Sequence, residues 1–101
     1  MNLAAHTAGG VLYIALNGEI DEHSAADARR AADGLLDEHT QAEKVVFDLG
    51  QVSFMDSTAI GFLIGRYKKL MRYGIPMYIT NPNPAADKIL ALSGVYTLIP
   101  T

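Results

Sequence analysis

Asp56-Ser57-Thr58 places a carboxylate and two adjacent hydroxyls just ahead of an amphipathic run, within the stretch Ser53-Phe54-Met55-Asp56-Ser57-Thr58-Ala59-Ile60-Gly61. Two chemistries suit such a triplet. Ser, Thr and Asp are preferred helix N-caps, because a side-chain oxygen there accepts a backbone N–H that the helix leaves unpaired. A helix N-terminus also offers free N–H groups and partial positive charge, so a serine there can carry a phosphate. On pattern alone the cap has the greater weight, and the two roles are compatible.

A catalytic reading of the same serine finds little support. No glycines flank Ser57 in Met55-Asp56-Ser57-Thr58-Ala59, so the nucleophile-elbow pattern is absent. Three residues on stands Ile60 where an S-x-x-K pattern needs lysine. Asp21 and His23 supply the other residue types of a triad, which geometry and not sequence order assembles. No oxyanion hole or substrate pocket is signalled, however. Asp21 and Asp56 as an acid pair each fit a turn or cap role equally well. The two glycines of Gly61-Phe62-Leu63-Ile64-Gly65-Arg66 fall inside an expected helix and make no phosphate loop. His6, His23 and His39 are scattered without metal-ligand spacing. The residues do not read as an enzyme, and no metal or cofactor is expected.

The elements that must position these residues read as follows. Val11 to Leu16 is β-prone and ends at the turn signal Asn17-Gly18. Asn2 to Thr7 is a candidate edge strand joined to it through Gly9-Gly10 as a hairpin. Ser24-Ala25-Ala26-Asp27 fits a capping box, and Ala25, Ala28, Ala32, Leu35 and Leu36 recur at helical spacing as far as about His39. Lys44 to Leu49 reads as a buried central strand followed by a turn at Gly50-Gln51. A second helix is expected from Ser57. Its apolar face is Ile60, Leu63, Ile64, Tyr67, Leu70 and Met71, with Arg66, Lys68, Lys69 and Arg72 mostly off that face, and it stops at Gly74. Phe54 and Met55 are candidate exposed apolar contacts, although burial beside a strand has the greater weight. Pro76 to Thr80 is a further strand, Ala85 to Leu92 a short helix ending at Ser93-Gly94, and Tyr96 to Ile99 a possible last strand. Strands alternating with helices predict an α/β fold. It is one domain over residues 1–101, with a mixed, mostly parallel sheet of four to five strands packed against three to four helices.

Composition narrows the function further. Of 101 residues, half are hydrophobic and 19% charged, a globular balance. The net charge of −3 argues against binding nucleic acid through its phosphates. With no cysteine, disulfides, thiolate metal sites and thiol catalysis are excluded, and a reducing compartment fits. No apolar run reaches bilayer-spanning length, and the N-terminus lacks a basic start and an apolar core, so a cytoplasmic protein without membrane insertion is expected.

The stretch SFMDSTAIGFLIGRYKKL resembles the signature of the bacterial anti-sigma factor antagonists, the STAS domain family. The resemblance runs over nearly the whole chain. Asn17-Gly18-Glu19-Ile20-Asp21 is similar to the family's G-E-[LI]-D turn, Val45 to Leu49 to its central strand, and Ser93-Gly94-Val95 to its S-G-[LV] element. GRYKKL is similar to the sporulation-type antagonists. The resemblance implies a non-enzymatic switch. The unmodified antagonist docks on an anti-sigma factor that is also a serine kinase and so frees the sigma factor. Phosphorylation at the serine after the motif aspartate, here Ser57, ends the docking, and a phosphoserine phosphatase restores it. Thr58 is the second choice. The partner surface implied comprises Gly18, Glu19, Asp21, Met55, Asp56, Ser57 and Thr58. Where the family often reads D-S-S-G, this chain has Thr58-Ala59. An alternative within the resemblance is an adaptor subunit of a membrane transport or signalling complex, in which Ser57 only caps a helix.

Overall fold

The computed structural model describes residues 1–101. Strand β1 (Asn2–Ala8) pairs antiparallel with β2 (Val11–Ile20) through the two-residue turn Gly9-Gly10. Both turn glycines have positive φ, 57° and 81°, the geometry of a tight hairpin turn that L side chains resist. Helix α1 (Ala25–Asp37) crosses to β3 (Lys44–Met55), which lies parallel to β2. Helix α2 (Ser57–Tyr73) crosses to β4 (Met77–Thr80), parallel to β3, and α3 (Pro84–Ser93) follows. The sheet order is β1-β2-β3-β4. Both crossovers step in the same direction, so right-handed connection puts α1 and α2 on one face. The expected α/β fold, with four strands and three α-helices, is what forms.

Alternation drives the packing. Leu12, Ile14 and Leu16 on β2, Val45, Phe47 and Leu49 on β3, and Met77 and Ile79 on β4 all point under the helices and are buried. They join Ala28, Ala32 and Leu36 of α1 and Ala59, Leu63 and Leu70 of α2 in one core of 23 residues. The opposite face carries Tyr13, Val46 and Tyr78 in register across β2, β3 and β4, each half-buried. There His6 stacks on Tyr13 with ring centroids 4.9 Å apart, and the Lys44 ammonium sits 5.4 Å from the centre of the Tyr78 ring.

Several expectations are corrected. Neither β2 nor β3 stops at its glycine. β2 continues through Gly18 to Ile20, and β3 continues through Gly50-Gln51 to Met55. The pairing slips between Ala15 and Asn17 and again between Gly18 and Glu19, each time with an extra residue on β3. These are bulges, which bend a strand without ending it. Asp48 Oδ1 supports the first by accepting the Gly50 N–H at 2.8 Å. Ser24 occupies the N-cap position of α1 but makes no capping bond to it. Its hydroxyl instead donates to the Glu19 carbonyl at 2.8 Å and accepts the Asp21 N–H at 3.1 Å. Tyr96 to Ile99 is not a strand, because Val95–Thr97 forms a 3-10 turn. The chain end still reaches β4, where the Ile79 N–H donates to the Pro100 carbonyl at 2.9 Å.

The apolar face of α2 is rotated from its expected position. Ala59, Phe62, Leu63, Arg66 and Leu70 are buried, whereas Met71 is 60% exposed. Arg66, expected off the core face, is the one buried charged residue.

Candidate functional site

β2 and β3 end side by side. Ile20 pairs with Met55, and the Asp56 N–H donates to the Ile20 carbonyl at 3.3 Å. The loops leaving them, Asp21–Ser24 and Asp56, therefore meet at the carboxyl edge of the parallel strands, where open α/β sheets place their sites.

Asp56 is the cap. It is extended (φ −112°, ψ −170°), and its Oδ1 accepts the Thr58 N–H at 2.8 Å. This corrects the expectation that weighted Ser57 as the cap. Ser57 is the first residue of α2, is exposed, and has no part in the capping bond. Its hydroxyl is thus available to another molecule, at the positive end of a 17-residue helix. Thr58 is half-buried one position further in.

Asp21 organises the neighbouring loop. Its Oδ1 accepts the backbone N–H groups of His23 at 2.9 Å and Ser24 at 3.0 Å. The bond from Ser24 is the main reason its carboxyl titrates below the ordinary value; slight burial opposes this. No triad assembles. Asp21 takes the backbone of His23, while the exposed His23 ring lies 3.8 Å from Glu22. Gly18, paired with Val52 beside the second bulge, takes φ 110°, a conformation glycine adopts freely, and leads into exposed Glu19 and half-buried Asp21.

Of the residues expected at a partner surface, Gly18, Glu19, Asp21, Asp56, Ser57 and Thr58 gather at this edge with some exposure. Met55 does not present itself. It is 4% exposed, because its pairing with Ile20 points it under the helices. Phe54 takes the opposite course and is 52% exposed, against the expectation that it is buried. The bulge before it breaks the alternation that the expectation assumed. Phe54 lines a small hollow with Ala85, Ile89 and Asn83 of the α3 end. Asn83 holds that end in place, donating to the Val52 carbonyl at 3.0 Å while its Oδ1 caps α3 through the Ala86 N–H at 2.8 Å. Asn83-Pro84, a cap followed by proline in the first turn, was the available signal.

Behind the edge, Arg66 of α2 and Asp33 of α1 pair at 2.7 Å between Nε and Oδ1. The guanidinium also lies over the Phe62 ring, 5.2 Å from its centre, and Phe62 meets Phe47 edge-on. Burial pulls the Arg66 guanidinium below its ordinary pKa; Asp33 opposes this and Arg29 adds to it. Further along the two helices Lys69 reaches Asp37 at 3.0 Å, and the Tyr73 hydroxyl donates to the same carboxylate at 2.7 Å. No group of acidic and histidine side chains is arranged to hold a metal ion, and no helix is long and apolar enough to cross a membrane.

Comparison with known proteins agrees with this architecture. Residues 2–101 match the STAS domain. The anti-sigma F factor antagonist of Paenibacillus polymyxa is 34% identical over 91 residues, covering 90% of this chain and 77% of that one. The solved structure of the anti-sigma factor antagonist SpoIIAA in its unphosphorylated form superposes with a TM-score of 0.79 at 22% identity, over 97% of this chain and 85% of that one. SpoIIAA of Bacillus in the phosphorylated form gives a TM-score of 0.69 at 23% identity, over 97% and 88%. With a family match over almost its full length and a relative of this identity, the chain belongs to the STAS domain family.

Proposed function

We propose that this protein is an anti-sigma factor antagonist, a binding protein and not an enzyme, switched by phosphorylation of Ser57. The unmodified edge around Ser57 docks on an anti-sigma factor with serine kinase activity and so releases the sigma factor. The kinase phosphorylates Ser57, which ends the docking, and a phosphoserine phosphatase returns the protein to its binding state. The observation that carries this reading is the division of labour at α2. Asp56 caps the helix, which leaves the exposed Ser57 hydroxyl free for modification. The likeness to anti-sigma F factor antagonists supports the partner class.

Charge supplies the mechanism. A phosphate on Ser57 adds about −1.5 to −2 charges at neutral pH. The helix dipole stabilises it, whereas Glu19, Asp21 and Asp56 already make the edge acidic. A partner surface matched to the unmodified edge must then desolvate a dianion and face added repulsion, so affinity falls without refolding. Phe54 is the apolar anchor beside the switch, and it replaces Met55 in the expected contact set.

The test is intact-mass analysis after incubation with the cognate anti-sigma kinase and ATP, followed by peptide mapping. One added phosphate at Ser57, with loss of partner binding and unchanged circular dichroism, is the expected result. An active kinase that leaves the mass unchanged overturns the reading.

A further inference from the structure

A groove enclosing about 520 Å³ runs between α1 and α2, starting at Thr58. On α2 it is lined by Thr58, Gly61, Phe62, Gly65 and Arg66, a stripe spanning about 12 Å of helix at the usual rise per residue. Ala25, Ala26 and Arg29 form the α1 wall, with Glu22 at its start. Two features of this groove have no explanation within the chain.

The first is Arg66. Its side chain is only 8% exposed, yet the guanidinium is poorly satisfied. Asp33 Oδ1 is close to Nε but misaligned for a hydrogen bond, and Nη1 has no acceptor at all. Buried polar groups in folded proteins are nearly always paired, and an orphaned one points to an absent water, ion or ligand. Arg29 brings a second guanidinium to the same end of the groove, close enough to disfavour the charged form of Arg66.

The second is the glycine pair. Gly61 and Gly65 sit one turn apart in the interior of α2, where glycine is the least favourable residue after proline. A Cβ at either would meet nothing within 4 Å. The packing of this chain therefore does not call for glycine at either position. Their effect is to leave the floor of the trough free of side chains.

We infer that the α1–α2 groove is an oxyanion-binding site, in which a carboxylate or phosphate group seats against Arg66 and Arg29 while the body of the ligand lies along Gly61 and Gly65. The anion gives the Arg66 fork the acceptor that Asp33 alone does not supply. A body in contact with both glycines extends toward Thr58. Occupancy is thereby felt next to Ser57, although the site is separate from the edge proposed to dock the partner and does not depend on that role.

The experiment is proton–nitrogen NMR on the full chain at constant ionic strength, following the Arg66 Nε–H and the Gly61 and Gly65 amides. Inorganic phosphate and glutarate probe for a free small anion; the blocked tripeptide acetyl-Ala-Glu-Ala-amide probes for a protein carboxylate. Saturable shifts at these three groups with at least one probe are expected, and the probe that saturates first identifies the source. Arg29→Ala, at an exposed position, should weaken binding about three-fold, as the loss of an exposed charge contact does. Gly65→Leu should fill the trough and abolish the shifts while Arg66 remains. The inference is overturned if no probe saturates, if the shifts survive Gly65→Leu in a protein whose spectrum is otherwise folded, or if they are matched at the exposed cations Arg72 and Lys88.

Discussion

The start and the middle of α2 treat polar groups in opposite ways. At the start of α2, Asp56 satisfies one amide through a single local bond, and Ser57 beside it stays open to solvent. Two turns further on, Arg66 is buried against Phe62 and depends on a carboxylate from another helix, 33 residues earlier in the chain. Breaking the local bond exposes an amide that water can reach. Breaking the distant one strands a buried charge. A modifiable serine belongs at the first kind of place, where adding charge does not dismantle the fold, and the contrast predicts which substitutions are felt as stability and which as function.

The largest stability effect is expected at the buried pair. Asp33→Ala leaves the Arg66 guanidinium without its partner and should destabilise by about 2–4 kcal/mol, the cost of breaking a buried pair reduced somewhat because Asp33 is half-exposed. Urea unfolding measures it. The double variant Asp33→Leu, Arg66→Met removes both charges and should recover most of that loss. If the single change costs nothing, the pair does not anchor the seam and the comparison fails.

Next comes the cap. Asp56→Ala should cost about 1 kcal/mol in the same assay, whereas Ser57→Ala, outside the capping bond, should stay within about 0.5 kcal/mol. Equal losses at the two positions would show that Ser57 shares the capping duty and would weaken the division of labour proposed for the switch. Gly61→Ala works in the other direction, stabilising α2 by about 0.5–1 kcal/mol through helix propensity, since the new methyl meets open space.

The smallest effect is electrostatic and exposed. The Asp37 carboxyl is held below its ordinary pKa, first by the Tyr73 hydroxyl and then by Lys69. A group whose folded pKa is depressed contributes stability that is present above the unfolded value, here 3.8, and that is lost as pH falls through the folded one. Asp37→Asn should therefore lower stability slightly at neutral pH, flatten the acid limb below about pH 4, and converge on the parent protein at the acid end. Melting curves between pH 3 and pH 7 test the sign.

How much was legible in the sequence follows from the range over which each signal acts. The Gly9-Gly10 hairpin, the stop of α2 at Gly74 and the helix opening next to Asp56-Ser57 were all expected, because turns and caps are settled by a few neighbouring residues. The gathering of Gly18, Glu19 and Asp21 with Asp56 and Ser57 was anticipated only through the family resemblance. Nothing in either segment alone says that β2 and β3 end together. Phe54 faces outward while Met55 is buried because bulges shift the alternation, and whether an extra residue is accommodated depends on the strand it pairs with.

By itself the sequence determined the α/β class, the order of the elements, the lack of thiol chemistry and an acid–hydroxyl pair at the start of a helix. Each of these is a matter of composition or of patterning within one element. The tertiary structure decided that Asp56 caps α2 while Ser57 remains free, that Phe54 faces outward, and that α2 is turned so that Arg66 lies in the seam with Asp33. The rotation of a helix about its axis is set by the surface it packs on. An arginine that reads as solvent-facing within its own helix becomes buried when a neighbouring helix supplies both an aspartate and small residues to lie against.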